Sequence, residues 1–223
     1  MNERLHILDF SRKIREHIQT RELLGSKLYS RRHTADLEWL VLGYLVGLLS
    51  PTDANVPKFA KRTESETDLA RNEPDFWLYA DPEASAPTKK VEITHVFEPG
   101  SKPKLESEEL ERLGMVRVDQ ANDPSLVWET FFECLNRKLA KRYARGCWLA
   151  IYLNWSYRKW AGQELKPWHE MVLSAAKRYR HADTCGTLEE LSRYDAIYVI
   201  STDCKGMVRL HPHWDVIAES AAN

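Results

Sequence analysis

Apolar residues near the N terminus are scattered rather than clustered. Leu5, Leu8, Ile14, Ile18, Leu23 and Leu24 punctuate an otherwise polar stretch, so residues 1–33 are predicted to form a helical arm packed on the body or on a second copy of the chain. From Thr34, placed to cap a helix, Leu37, Leu40, Val41, Tyr44, Leu45 and Leu48 follow the 3.6-residue period to about Leu49, and Ser50-Pro51 ends the run. Glu38 is out of character there. Val41, Leu42, Leu45 and Leu49 share its face, so the carboxylate needs a partner, for instance Arg31.

The period then shortens. Strands are predicted from Phe59 to Leu69, from Asp75 to Ala80 and from Lys90 to Phe97, with a loop of Pro, Ala and Ser between the last two. Asp123-Pro124-Ser125 opens a helix over about 126–144, with Trp128, Phe131, Phe132, Leu135 and Leu139 as its core stripe and Gly146 as its expected end. Cys147 to Leu153 is apolar without alternation, as in a strand covered on both faces. Strand, helix and strand in succession imply a parallel crossover. A helix over about 167–180, a strand from Ala196 to Ser201, a turn at Asp203 to Gly206 and a short edge strand from Met207 to Leu210 complete the chain. The fold class is therefore α/β: a central mixed sheet flanked by helices, one domain over 34–223 behind the N-terminal helical arm.

Composition fits one folded domain: 223 residues, 43% hydrophobic, with 8 Trp and 9 Tyr. Cys134, Cys147, Cys185 and Cys204 are too few for a disulfide framework and include no CxxC pair, which predicts a reduced, cytoplasmic setting. The charged N terminus lacks a signal sequence, and the longest apolar run, Trp39 to Leu49, is about half a membrane span, so no membrane partner is expected. Net charge is −1, but it is unevenly spread. Residues 53–133 hold 18 Asp/Glu against 10 Lys/Arg, while residues 134–180 hold 11 Lys/Arg against 2 Asp/Glu. An acidic segment beside a basic one suits metal binding next to a polyanion, and clustering of surface charge is the plainer alternative. Trp155, Tyr157, Trp160 and Trp168, interleaved with Arg158, Lys159 and Lys166, suit stacking on single-stranded bases or packing against the body.

Two carboxylates carry the candidate chemistry. Pleat alternation puts Glu92 and Thr94 on one face of their strand, and Asp75 at the start of the neighbouring strand would set a second acid beside Glu92. Oxygen ligands of this kind suit a hard divalent cation, with waters and a substrate phosphate completing the shell.

Pro74-Asp75 at one strand start, Glu92-Ile93-Thr94 within the next and Glu38 on the preceding helix resemble the PD-(D/E)XK nuclease superfamily over about residues 34–153. The resemblance implies a restriction-endonuclease-like α-β-β-β-α-β core and a Mg²⁺- or Mn²⁺-dependent endonuclease acting on nucleic acid, DNA first. Asp75 and Glu92 would be catalytic metal ligands, Glu38 a supporting one, and the Ile93 carbonyl would complete the site. One departure matters: Thr94 stands where the family places a lysine. The following helix offers Lys138, on a face with Phe131, Cys134 and Leu135, as the first replacement, ahead of Lys141 and Lys90. Without such a base, the expectation becomes an inactive nuclease-fold protein that binds nucleic acid or other proteins, with the arm as a homodimer contact.

Overall fold

The computed structural model describes residues 4–22, 31–63, 73–97, 124–141, 146–154, 172, 174, 191–201, 206–212 and 215–219. Their elements are β1 (Leu5–His6), α1 (Ile7–Glu22), α2 (Arg31–Leu49), β2 (Phe59–Arg62), β3 (Phe76–Tyr79), β4 (Lys89–Phe97), α3 (Pro124–Leu139), β5 (Cys147–Asn154), β6 (Tyr194–Ile200), β7 (Gly206–His211) and β8 (Asp215–Glu219). The strands form one mixed sheet in chain order, β1 to β8. β4, β5 and β6 are parallel, and every other neighbouring pair is antiparallel. The α/β class and the crossover from β4 to β5 agree with the hydrophobic pattern.

Alternation sorts the central strands into two cores. Val91 and Ile93, Trp148 and Ala150, and Ala196, Tyr198 and Ile200 face the core built with α1 and α2. Leu149, Ile151 and Leu153, with Ile197 and Val199, face the core that includes Phe131, Leu135 and Leu139 of α3. This explains why β5 reads as continuously apolar. α2 is apolar around more of its circumference than one stripe requires, because it lies between the sheet and α1. Gly43 permits the close approach of α1: a Cβ there would stand 2.1 Å from Ser11 Oγ.

Several boundaries differ from expectation. Thr34 does not cap α2, which begins at Arg31, and the described part of the arm packs on the body. Leu5 and His6 pair with Ala60 and Phe59, and Ile7 and Ile14 are buried in the first core. Of the strand expected from Phe59 to Leu69, Phe59–Arg62 forms β2, and residues 64–69 lie outside the described residues. Thr63 follows β2, its N–H donating to Asp75 O (2.9 Å) and its hydroxyl to Pro74 O (2.6 Å). Gly146 lies outside α3 and instead takes φ 90° just before β5, where its carbonyl accepts the Lys90 N–H at 3.2 Å. β8 was not expected. The helix over about 167–180 falls almost wholly outside the described residues, as does the Trp155–Trp168 stretch. No helix among the described residues is long and apolar enough to cross a membrane.

Candidate active site

β4 faces α3 through two contacts one helical turn apart. Thr94, buried, lies with its Oγ1 3.3 Å from Cys134 Sγ, and Lys138 donates to Glu92 Oε1 in a short ion pair. Positions i and i+4 of a helix share a face, so Cys134 and Lys138 meet Thr94 and Glu92 in turn. Lys141 Nζ adds a second charge 3.4 Å from the same Glu92 oxygen. The Glu92 side chain is 3% exposed and Lys141 39%, so the pair buries an acid while one base stays open to solvent. Two residues at the start of β6 hold the end of α3: Tyr194 OH donates to Lys138 O (3.0 Å) and an Arg193 guanidinium N–H to Leu139 O (2.9 Å). Leu139 O is one of the carbonyls that a helix C terminus leaves without an intrahelical partner, and Lys138 O also accepts the Lys141 N–H at 3.1 Å.

Asp75 precedes β3 and turns back to β4, where its Oδ2 accepts the Ile93 N–H at 2.6 Å. Phe76 pairs with Val91 at the end of the β3–β4 ladder nearest the site. Glu38 reaches the same region from α2. Arg62, at the end of β2, donates twice to Oε2 at 2.7 and 3.1 Å, while the side chain of Arg31, the expected partner, lies outside the described residues.

The three acids feel one another. Burial first, then Glu92 and Glu38, push the Asp75 carboxyl up to about 7, against the pull of the Ile93 N–H and Lys138. Burial also raises Glu38, opposed by Arg62 and reinforced by Glu92. Among the described residues each carboxylate has one engaged oxygen: Asp75 Oδ2, Glu92 Oε1 and Glu38 Oε2. The second oxygen of each is left for a further partner. No three His, Cys, Asp or Glu side chains among the described residues stand close enough to hold an ion by themselves. A Mg²⁺-type site needs less, since one or two carboxylates with waters and substrate phosphate suffice. The donor chemistry of Asp75 and Glu92, each with one carboxylate oxygen engaged among the described residues, matches that smaller set.

Other nucleophiles are disfavoured nearby. Burial, with Glu92 adding to it, pushes the Cys147 thiol up to about 12, so it stays protonated. Burial, helped by Lys138, pulls His95 down to about 4 and leaves a neutral imidazole.

The structure thus brings Glu38, Asp75, Glu92, Ile93 and Lys138 to one region, with Lys141 at its rim. Lys90 shares the strand face of Glu92 but makes no ion pair with it. Arg62 and the clamp of Arg193 and Tyr194 escaped the sequence reading. Arg62 ends a strand with no local signal of a partner on α2, 24 residues earlier. No family model matches the chain, and no curated protein or solved structure matches it either.

Proposed function

We propose that the chain is a divalent-metal-dependent nuclease that hydrolyses phosphodiester bonds in nucleic acid, with Mg²⁺ or Mn²⁺ as cofactor. The observation that carries this reading is the meeting of three mutually repelling carboxylates, Asp75, Glu92 and Glu38, with Lys138 seated on Glu92. The succession α2, β2, β3, β4, α3, β5 is that of the restriction-endonuclease-like core, which supports the same assignment.

Asp75 and Glu92 would hold the metal with the Ile93 carbonyl, and Glu38 would support it. When bound, the metal supplies a lowered pKa for a coordinated water and charge neutralisation for the phosphate. The protein's own residues prepare for it. With its carboxyl pushed up to about 7, Asp75 is partly protonated near neutral pH and would release that proton to solvent on taking a cation, which couples binding to proton release. Arg62 holds Glu38 in place. Lys138 brings to Glu92, through space, the positive charge that Thr94 cannot supply, and the C-terminal clamp of α3 fixes its backbone.

A second reading has an observation in its favour. Lys138, Lys141 and Arg62 already balance the three acids, so the same residues would also suit a module that binds nucleic acid without cutting it. Isothermal titration of Mn²⁺ into the wild type and Asp75→Ala/Glu92→Ala, with plasmid nicking on the same samples, separates the two. Metal binding and metal-dependent nicking that both vanish in the double variant are the expected result. Metal binding without nicking favours the second reading, and no metal binding at all would sink the site assignment.

A further inference from the structure

The second core, under α3, takes no residue from β2 or β3. On that face of the sheet a single rung crosses three strands: Lys61 pairs with Trp77, and Trp77 pairs with Lys90. Ala60, Phe76, Leu78 and Val91 point into the first core, so alternation turns all three rung residues the other way. Each is half-buried rather than covered. Neither lysine has an ion-pair partner among the described residues, unlike Lys89, which sits 2.6 Å from Asp195. The Trp77 Nε1 is buried without an acceptor among the described residues, so the exposed part of the indole is ring carbon. Lys90 is two residues before Glu92 on the same strand face, and half-exposed Lys141 stands at that carboxylate. The rung therefore leads directly into the acidic site.

An aromatic ring between two ammonium groups that have no ion-pair partner among the described residues matches a nucleic-acid strand with an exposed base between phosphates. A duplex keeps its base faces inside the stack, and a base must leave it to meet an aromatic side chain. We infer that the Lys61–Trp77–Lys90 rung receives a single-stranded segment of nucleic acid, with Trp77 stacked on an unpaired base and the two lysines on flanking phosphates. This rests on the nuclease reading and names its substrate class.

The test is fluorescence anisotropy of the full chain with a labelled oligothymidylate of about 20 nucleotides and with a duplex of equal length, both in EDTA so that no cutting occurs. The single strand is expected to bind more tightly than the duplex. Trp77→Leu should weaken single-strand binding about tenfold, while Trp77→Phe, which keeps a stacking face, should stay within about threefold of wild type. Lys61→Ser/Lys90→Ser should lower the slope of log affinity against log salt by about 1.4, at roughly 0.7 per phosphate contact on a single strand. That slope is read on half-exposed positions, so it remains decisive if Trp77→Leu folds poorly. An unchanged slope, a Trp77→Leu affinity equal to wild type in a folded variant, or preference for the duplex would each overturn the inference. Asp75→Asn separates this from the parent reading: it should abolish metal-dependent nicking, while binding in EDTA keeps its dependence on Trp77 and the two lysines. Rung-dependent binding without metal-dependent nicking would fault the nuclease assignment alone, whereas nicking that ignores the rung would fault this inference alone.

Discussion

Replacing Asp75 by Asn should stabilise the metal-free protein at alkaline pH while removing a ligand of the proposed metal site. The folded environment raises the Asp75 carboxyl from 3.8 to about 7, chiefly by burial and then by Glu92 and Glu38. A carboxyl with a raised folded pKa binds more protons folded than unfolded, so stability falls as pH rises between the two values. The window runs from near 3.8 to near 7. Those roughly three pH units, at ~1.4 kcal/mol each, set a ceiling of about 4 kcal/mol. Asp75 is partly open to solvent, and screening there reduces the expected figure to roughly 2 kcal/mol. Asparagine keeps an oxygen for the Ile93 N–H and loses the charge. Urea unfolding in EDTA should therefore show wild type and variant equal below about pH 4 and the variant ahead by about 2 kcal/mol at about pH 8. Adding Mn²⁺ at the higher pH should reverse the order, because the cation stabilises only the form with the carboxylate. Parallel curves from about pH 4 to 8, or an Asn variant less stable than wild type at the upper end in EDTA, would refute the reasoning.

Two further outcomes follow from the packing around the site. Lys138→Met leaves the Glu92 carboxylate buried with only Lys141 at 3.4 Å. Breaking a buried pair costs ~3–5 kcal/mol when nothing takes over, so with Lys141 in reserve a loss of about 2–3 kcal/mol is expected. Glu92→Gln/Lys138→Met should recover more than half of that loss in urea unfolding, and additive costs would argue against the coupling. Gly43→Ala should lower the thermal midpoint, at a cost of about 1–3 kcal/mol, although alanine normally favours a helix. The cause is a Cβ placed 2.1 Å from Ser11 Oγ and 2.4 Å from Ser11 Cβ. Adding Ser11→Gly should restore part of the loss, and failure to do so would remove the clash as its explanation.

Local pattern determined much of this protein. A 3.6-residue period marked α2 and α3, and short apolar or aromatic runs marked β3, β4, β5 and β6, because local residue type and a side chain's direction along a helix or strand depend only on the immediate chain. The same rule put Glu92 and Thr94 on one strand face, and it put Lys138 on the face of α3 that carries Cys134. Where elements end depended on neighbours in space. The end of β2 at Arg62 is joined to the approach to β3 by Thr63, which bonds the backbone of Pro74 and Asp75. Gly146 breaks φ at the entry to β5, where it sets the contact with Lys90, rather than at the end of α3. Leu5–His6 became a strand only because β2 offered an edge to pair with. The site's electrostatics belonged wholly to the tertiary structure. Glu38, Asp75 and Glu92 lie on separate elements, and the pairing of Glu38 with Arg62, the short Lys138–Glu92 contact and the elevated Asp75 pKa depend on distances through space and on shared burial. Charge interactions fall off with separation and strengthen as water is excluded, and neither quantity is encoded in the spacing of residues along a chain.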